Sequence, residues 1–317
     1  MKVAVTGGAG FIGSTLVDRL LAEGCEVDVI DNLASGRLSN LAGAQATGAM
    51  TFFEMDICDP AVIELLAERR PEVIFHLAAQ ADVRVSIARP EFDAAVNVIG
   101  SINILEGARK AGSTRVVAAA SGGTLYGEPV GNQIPTPETA EQRPLSPYGV
   151  SKKSMIDYLA AYEELYGIAF VALALGNVYG PRQDPHGEAG VVAIFAERLL
   201  RNDEVVIFGT GEQTRDFVYV DDVVDAFWRA SSRGAGLVIN IGTGRELSVN
   251  DLFADMAAVT GTTTPAVLKP ARPGELLRSC LDVQRASAEL GWTSWTQFSD
   301  GAARCIEFVA SQLATES

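Results

Sequence analysis

Two textures alternate along residues 1–176. Short β-branched runs, apolar throughout, stand at Lys2–Thr6, Glu26–Ile30, Thr51–Glu54, Val73–Leu77, Arg115–Ala120 and Ala169–Leu175. Helix-length stretches separate them at Phe11–Glu23, Ala61–Arg69, Phe92–Lys110 and Pro147–Tyr166. A strand with one face in water alternates apolar and polar positions, whereas these runs do not, which predicts burial on both faces and a parallel sheet. Strand–helix alternation in that order predicts an α/β fold with a doubly wound parallel sheet. Past Gly176 the alternation becomes irregular, with helices expected at Val191–Arg201, Asp221–Ser231, Val249–Thr260 and Val283–Glu289, and short strands at Val205–Phe208 and Leu237–Ile241. With no repeat or linker in between, the expectation is one body. Residues 1–176 form the sheet domain, and residues 177–317 form a smaller α/β lobe closing a cleft over the strand ends, some of its segments returning to the sheet.

Composition narrows the chemistry. Of 317 residues 48% are hydrophobic and 21% charged, enough for a buried core and unlike a disordered chain. The net charge of −15 argues against a nucleic-acid partner, which needs a basic face for its phosphates. Cys25, Cys58, Cys280 and Cys305 are widely spaced, as expected of reduced thiols in a cytoplasmic protein. With only His76 and His186 available, no metal site is expected. Asp18 and Arg19 interrupt the N-terminal apolar stretch and residues 168–176 are too short to span a bilayer, so no membrane association is expected.

The sharpest local signal is Gly7-Gly8-Ala9-Gly10-Phe11-Ile12-Gly13, which follows the first strand and opens the first helix. In that context Gly7 permits a tight turn, Gly10 lets the backbone approach a pyrophosphate, and Gly13 allows close helix–strand packing. Asp31 ends the second strand about 20 residues further on, where a carboxylate binds adenosine ribose hydroxyls and repels a 2′-phosphate. The pattern is the dinucleotide fingerprint of a Rossmann sheet, and it favours NAD over NADP. Asp56-Ile57, after the third strand, is placed to meet the adenine, and Leu77-Ala78-Ala79, after the fourth, to line the cofactor with small residues.

Tyr148-Gly149-Val150-Ser151-Lys152 puts a phenol and an ammonium on one helix face. A lysine close to a tyrosine stabilises its phenolate, lowering the pKa towards neutrality and making a general base. Together TGGAGFIG, HLAAQ, Tyr148-x-x-x-Lys152 and NVYGPRQ resemble the extended short-chain dehydrogenase/reductase superfamily, in its NAD-dependent epimerase/dehydratase family. Within it the chain is most similar to the bacterial UDP-glucose (UDP-galactose) 4-epimerases. The resemblance implies Tyr148 as the base at the sugar 4-hydroxyl, Lys152 holding the nicotinamide ribose and tuning Tyr148, and further NAD contacts from Asn32, Ser35, Gly36, Gln80 and Asn97. It also implies a UDP-sugar site made of Asn177, of Val191 and Val192 at a helix start, of Val206 and Phe208 around uracil, of Arg215 and Arg272 on the diphosphate, and of Glu275 on the uridine ribose. Ser279 stands where a tyrosine restricts some epimerases to non-acetylated sugars. A homodimer built on Phe92–Lys110 and Pro147–Tyr166 is implied as well.

One departure concerns the proton relay. The family carries a Ser or Thr four residues before the tyrosine of its x-Y-G motif, and in Ser121-Gly122-Gly123-Thr124-Leu125-Tyr126-Gly127 that count lands on Gly122. Ser121 and Thr124 are the neighbouring hydroxyls, Ser121 being favoured. Gly122-Gly123 also lacks the Asp-Glu pair of a 4,6-dehydratase. UDP-glucuronate enzymes carry Thr and a second Arg where this chain has Asn177 and Asp184, and Asp184 is expected to repel a sugar carboxylate. A neutral hexose is the expected substrate, with UDP-glucuronate or UDP-N-acetylhexosamines as the enzyme alternatives and a non-catalytic NAD-binding sensor as the remote one.

Overall fold

The computed structural model describes residues 1–128, 133–185, 190–271 and 276–316. The first half runs β1 (Lys2–Thr6), α1 (Phe11–Ala22), β2 (Glu26–Asp31), α2 (Ala42–Ala46), β3 (Met50–Glu54), α3 (Ala61–Arg69), β4 (Val73–His76), α4 (Val83–Ala88), α5 (Pro90–Ala94), α6 (Gly100–Ala111), β5 (Arg115–Ser121), α7 (Gly122–Leu125), α8 (Pro147–Tyr166) and β6 (Ala169–Leu175). The second half runs β7 (Asn177–Tyr179), α9 (Val191–Arg201), β8 (Val206–Phe208), β9 (Thr214–Arg215), β10 (Phe217–Tyr219), α10 (Val220–Ala230), β11 (Leu237–Ile241), β12 (Leu247–Ser248), α11 (Val249–Thr260), β13 (Val267–Lys269) and α12 (Phe298–Glu316).

Seven parallel strands make the central sheet in the order β11-β6-β5-β4-β1-β2-β3. Its apolar strands feed two cores at once. Val3 and Val5, Val73 and Phe75, and Val171, Leu173 and Leu175 pack on one face with residues of α1, α9, α10 and α12. Ala4, Ile74, Val116 and Ala118, and Phe170 and Ala172 pack on the other with residues of α3, α6 and α8. Fully burying such a Val, Leu or Phe contributes about 1.5–3 kcal/mol, which explains why polar positions are scarce on these strands. Asp28, 1% exposed on β2, is one of the few, and the Arg69 guanidinium of α3 meets both its oxygens at 2.9 and 2.6 Å. Pairing of that bidentate kind is what permits a carboxylate there.

Three short pairs hold the remaining strands, β10 with β7, β12 with β9 and β13 with β8. Two expected elements take a different form. Phe92–Lys110 is not one regular α-helix, because a π turn at Ala95–Ile99 joins α5 to α6 and carries Asn97. Val283–Glu289 is not an α-helix; a single π turn spans Ala286–Leu290 and Gly291, at φ +63°, ends it before a second α turn can form. Helix α12 has no counterpart in the hydropathy reading, since its core-facing residues include the small Ala302 and Cys305. Among the described residues no helix is long and apolar enough to cross a membrane.

His76 ends β4 and closes a proton-ordered chain across the sheet edge. The backbone N–H of Ala78 donates to Thr6 Oγ1 at 3.2 Å, and Thr6 Oγ1 lies 2.8 Å from His76 Nδ1. On the far side, His76 Nε2 lies 2.9 Å from Ser101 Oγ, which gives its own proton to Asn97 O at 2.6 Å. Ser101 can therefore only accept from His76, so Nε2 carries the proton and Nδ1 accepts from Thr6. Only neutral imidazole fits, and burial, reinforced by the charge of Lys152, pushes its pKa down to about 3. A histidine whose folded value lies below the unfolded value of about 6.5 contributes stability that is complete above that pH and is lost as pH falls towards the folded value, by up to about 1.4 kcal/mol per unit. Thermal unfolding between pH 7 and 5 is expected to show this acid slope, and His76→Asn should flatten it relative to wild type.

Candidate active site

The glycine turn is built by steric necessity. Gly7 takes φ +70°, and a Cβ on it would lie 2.7 Å from the Ala78 backbone nitrogen. A Cβ on Gly13 would collide with the Gly7 carbonyl, so α1 seats directly on the turn. Gly10 begins α1 without a side-chain cap, leaving the first N–H groups to an outside acceptor. Phe11 and Ile12, half-buried, follow it. Asp31 joins this turn to the loop after β2, accepting from Ala9 N at 2.9 Å and Leu33 N at 2.8 Å. Burial raises the Asp31 pKa and those two N–H groups oppose the rise. Gly36 lies against the same carboxylate, and Ser35 beside it is exposed. Asn32 donates to Asp56 Oδ2 at 2.9 Å, Ile57 is buried, and Leu77 to Gln80 leave β4 alongside Gly7. These residues collect at the carboxyl ends of β1 to β4, where the strand order reverses between β1 and β4 and open α/β sheets bind ligands.

Across the same edge, β5 ends at Ser121 and α8 starts at Pro147, its first turn capped by Ser146 Oγ accepting from Gly149 N at 3.2 Å. Tyr148 and Lys152 lie on the buried side of α8, 9% and 3% exposed. Ser121, at the end of β5, is placed to lower the Tyr148 pKa, against the larger rise from burial. Thr124 Oγ1, in contrast, is buried without a hydrogen-bond partner. Of the two candidate hydroxyls, Ser121 is the one that bears on the Tyr148 titration. The Lys152 ammonium sits 5.9 Å from the centre of the Tyr148 ring and donates to Ala119 O at 2.9 Å. Burial dominates both groups, pushing Tyr148 up to about 12 and Lys152 down to about 8.

The second half brings its residues to the same cleft through one carboxylate that motif reading misses. Asp216 is 1% exposed. Its Oδ1 accepts from Thr243 N and Oγ1, both at 2.7 Å, and its Oδ2 from Gly244 N at 3.1 Å and Leu281 N at 3.2 Å. Its carbonyl takes the N–H of Asn177 at 2.7 Å, while Ser279 N bonds to Thr214 O at 3.2 Å. Asn177, Arg215 and Ser279 are thereby tied together, whereas Arg272 and Glu275 lie outside the described residues. An aspartate between Arg215 and the apolar Phe217-Val218-Tyr219 is itself the signal, because a charge in a buried strand must be partnered. Val191 opens α9 half-buried, but the Val192 side chain belongs to the core at 1% exposure, so only its backbone is available at the helix start. Val206 and Phe208 are half-buried on β8. Asp184 is placed differently from its expected role, since its carboxylate pairs with Arg37 Nη2 at 2.8 Å and its charge is not free to repel a substrate carboxylate.

Comparison with known proteins agrees with this geometry. The family model described as "NAD dependent epimerase/dehydratase family" matches residues 3–242. The chain is 49% identical to a UDP-glucose 4-epimerase of Mycolicibacterium smegmatis, over 97% of this chain and 98% of that one. It superposes with TM-score 0.95 at 46% identity on the UDP-glucose 4-epimerase of Thermotoga maritima solved with UDP-glucose, covering 99% and 100% of the two chains. The Thermus thermophilus UDP-glucose 4-epimerase solved with NAD gives a TM-score of 0.90 at 41% identity, covering 98% and 99%. With its glycine turn, its Tyr148/Lys152 helix and its seven-stranded parallel sheet, the chain belongs to the NAD-dependent epimerase/dehydratase family.

Proposed function

We propose that this protein is an NAD-dependent UDP-hexose 4-epimerase interconverting UDP-glucose and UDP-galactose. The observation that carries the reading is the buried Tyr148/Lys152 pair of α8 beside the Ser121 end of β5, facing the glycine turn across the carboxyl edge of one sheet. The donor set fits the cofactor, with a turn that admits no Cβ at Gly7 or Gly13, free N–H groups at the start of α1, and the Asp31 carboxylate for ribose hydroxyls. NAD held by the Gly7–Gly13 turn and Asp31 would supply a reversible hydride acceptor for C4 of the sugar.

The chain's own groups manage protons and position. Tyr148 takes the proton from the 4-hydroxyl, and Ser121, at the end of β5 beside it, lowers the cost of the phenolate. Lys152, held on Ala119 O, supplies a fixed positive charge in a site where low dielectric magnifies it. Arg215 and the helix start at Gly190–Val192 serve the diphosphate, with Arg272 as its partner, and Asn177 faces the sugar. Asn177 where the glucuronate enzymes carry Thr, together with the names of the relatives, supports a neutral hexose; Ser279 leaves room for an N-acetyl group, so UDP-GalNAc is a second substrate to test.

Exposed apolar side chains on α5, the π turn and α8, namely Phe92, Ile99, Val150, Tyr158 and Leu165, support a homodimer through these helices. Ile99→Asp combined with Leu165→Asp is expected to give a folded monomer by analytical ultracentrifugation, against a dimer for wild type.

The activity is tested by incubating the purified protein with UDP-galactose without added NAD and coupling product to UDP-glucose dehydrogenase, with UDP-glucuronate and UDP-GalNAc followed by chromatography. Turnover of UDP-galactose and release of NAD on denaturation are the expected results; silence on all three substrates would leave only the sensor. Tyr148→Phe should lower kcat by about 10³-fold and Ser121→Ala by about 10²-fold, within the range for proton-transfer groups, while Thr124→Val changes it little.

A further inference from the structure

Strands β9 and β12 pair over two residues only, Thr214 with Ser248 and Arg215 with Leu247. A ladder that short is marginal in water without side-chain support. Yet β9 carries Arg215, assigned above to the diphosphate, and lies against the segment that carries Ser279. Every polar group of Thr214 is engaged in holding these two residues. Its N–H donates to Leu277 O at 3.0 Å, and its carbonyl accepts from Ser279 N at 3.2 Å and from Arg215 Nη1 at 2.8 Å. Its hydroxyl donates to Glu246 Oε1. Glu246, half-buried just before β12, also receives the Arg278 guanidinium on both oxygens, Nε on Oε1 at 2.9 Å and Nη2 on Oε2. Since Arg278 adjoins Ser279, a single carboxylate grips β9 through Thr214 and the neighbouring segment through Arg278.

We propose that Glu246 is a positioning residue for substrate binding, which by tying Thr214 to Arg278 fixes Arg215 towards the diphosphate and Ser279 towards the sugar. Each step of the link is a hydrogen bond: Glu246 to the Thr214 hydroxyl, and the Thr214 carbonyl to Arg215 Nη1 and Ser279 N. An exposed ion pair by itself contributes little, and the Arg278 side chain is 57% exposed. This pair is bidentate, however, and its carboxylate is shared with a neutral hydroxyl, so it sets direction as well as attraction. Without Glu246, the Thr214 hydroxyl and the Arg278 guanidinium both turn to water, and a two-residue ladder is left to aim Arg215. Substrate affinity then falls, while proton transfer at Tyr148, on α8 and outside this network, keeps its rate.

This inference rests on the epimerase reading, and the test separates the two. UDP binding to the NAD-loaded protein is measured by isothermal titration calorimetry, beside KM and kcat for UDP-galactose. Glu246→Ala is expected to weaken UDP binding and raise KM by about 10-fold, the scale for losing a hydrogen bond to a charged group, with kcat within about twofold of wild type. Thr214→Val, which removes only the hydroxyl, should give a smaller loss of the same kind, and Thr214→Ser should restore it. Because the two side chains share one contact, Glu246→Ala with Thr214→Val should bind UDP no more weakly than Glu246→Ala alone. Thr214→Val and its rescue by serine carry the test if Glu246→Ala does not fold. Unchanged UDP affinity in Glu246→Ala, additive losses in the double variant, or a fall in kcat at constant KM would each overturn the proposal, whatever happened to Tm. UDP binding by wild type without turnover of UDP-galactose would overturn the epimerase reading while calorimetry still decided the role of Glu246. No UDP binding by wild type would overturn both.

Discussion

Taking the Lys152 ammonium out of water is the demand around which the first half of the molecule is arranged. A buried lysine loses its hydration, and the protein offers one carbonyl at hydrogen-bond distance, Ala119 O. That carbonyl belongs to β5, whose Ala118 and Ala120 face the core shared with α8. The neighbouring imidazole is held in the neutral form by its hydroxyl partners, so no second cation competes. Tyr148, Ser121 and the glycine turn are then arranged around a charge that the fold has already placed.

Much of this was legible in the chain because it depends on local rules. Gly7 and Gly13 are dictated by clashes within a strand–turn–helix unit, and Tyr148 and Lys152 by helical spacing, so both can be read from residues near each other in sequence. Apolar strands announced the parallel sheet for the same reason. What escaped depends on contacts between distant segments. Asp216 acquires its meaning only when Thr243 and Leu281 arrive, and Asp93 only when Gln80 and Asn97 do. Spacing placed Lys152 and Tyr148 near each other, but the burial that pushes both away from their charged forms depends on the strands packed around them. Asp184 was misread because its partner Arg37 lies in another loop.

Asp216 and Asp93 resemble each other in design. Each is an aspartate inside the structure that converts chain segments into a fixed scaffold, one for the nucleotide-sugar lobe and one, through the Asn97 amide that reaches Ser151, for the catalytic helix. Asp222 does the same for the approach to α12, accepting from Trp295 N and Thr296 N at 3.0 Å. Acidic residues dominate this chain, and some of the excess is spent inside it rather than on the surface.

Strand β11 gives the architecture its last property. It enters the sheet from residues 237–241, after the chain has left β6 and built much of the second lobe. Residues 177–236 are thus held as a long loop between two neighbouring strands of the central sheet, and the rest of the second half follows β11. Cutting the chain after Gly176 would expose the whole hydrogen-bonding edge of β6, an apolar strand, and invite it to pair with another molecule. The two halves are separable in description but not in the test tube, and substrate preference in such a scaffold has to change by altering loops rather than by exchanging lobes.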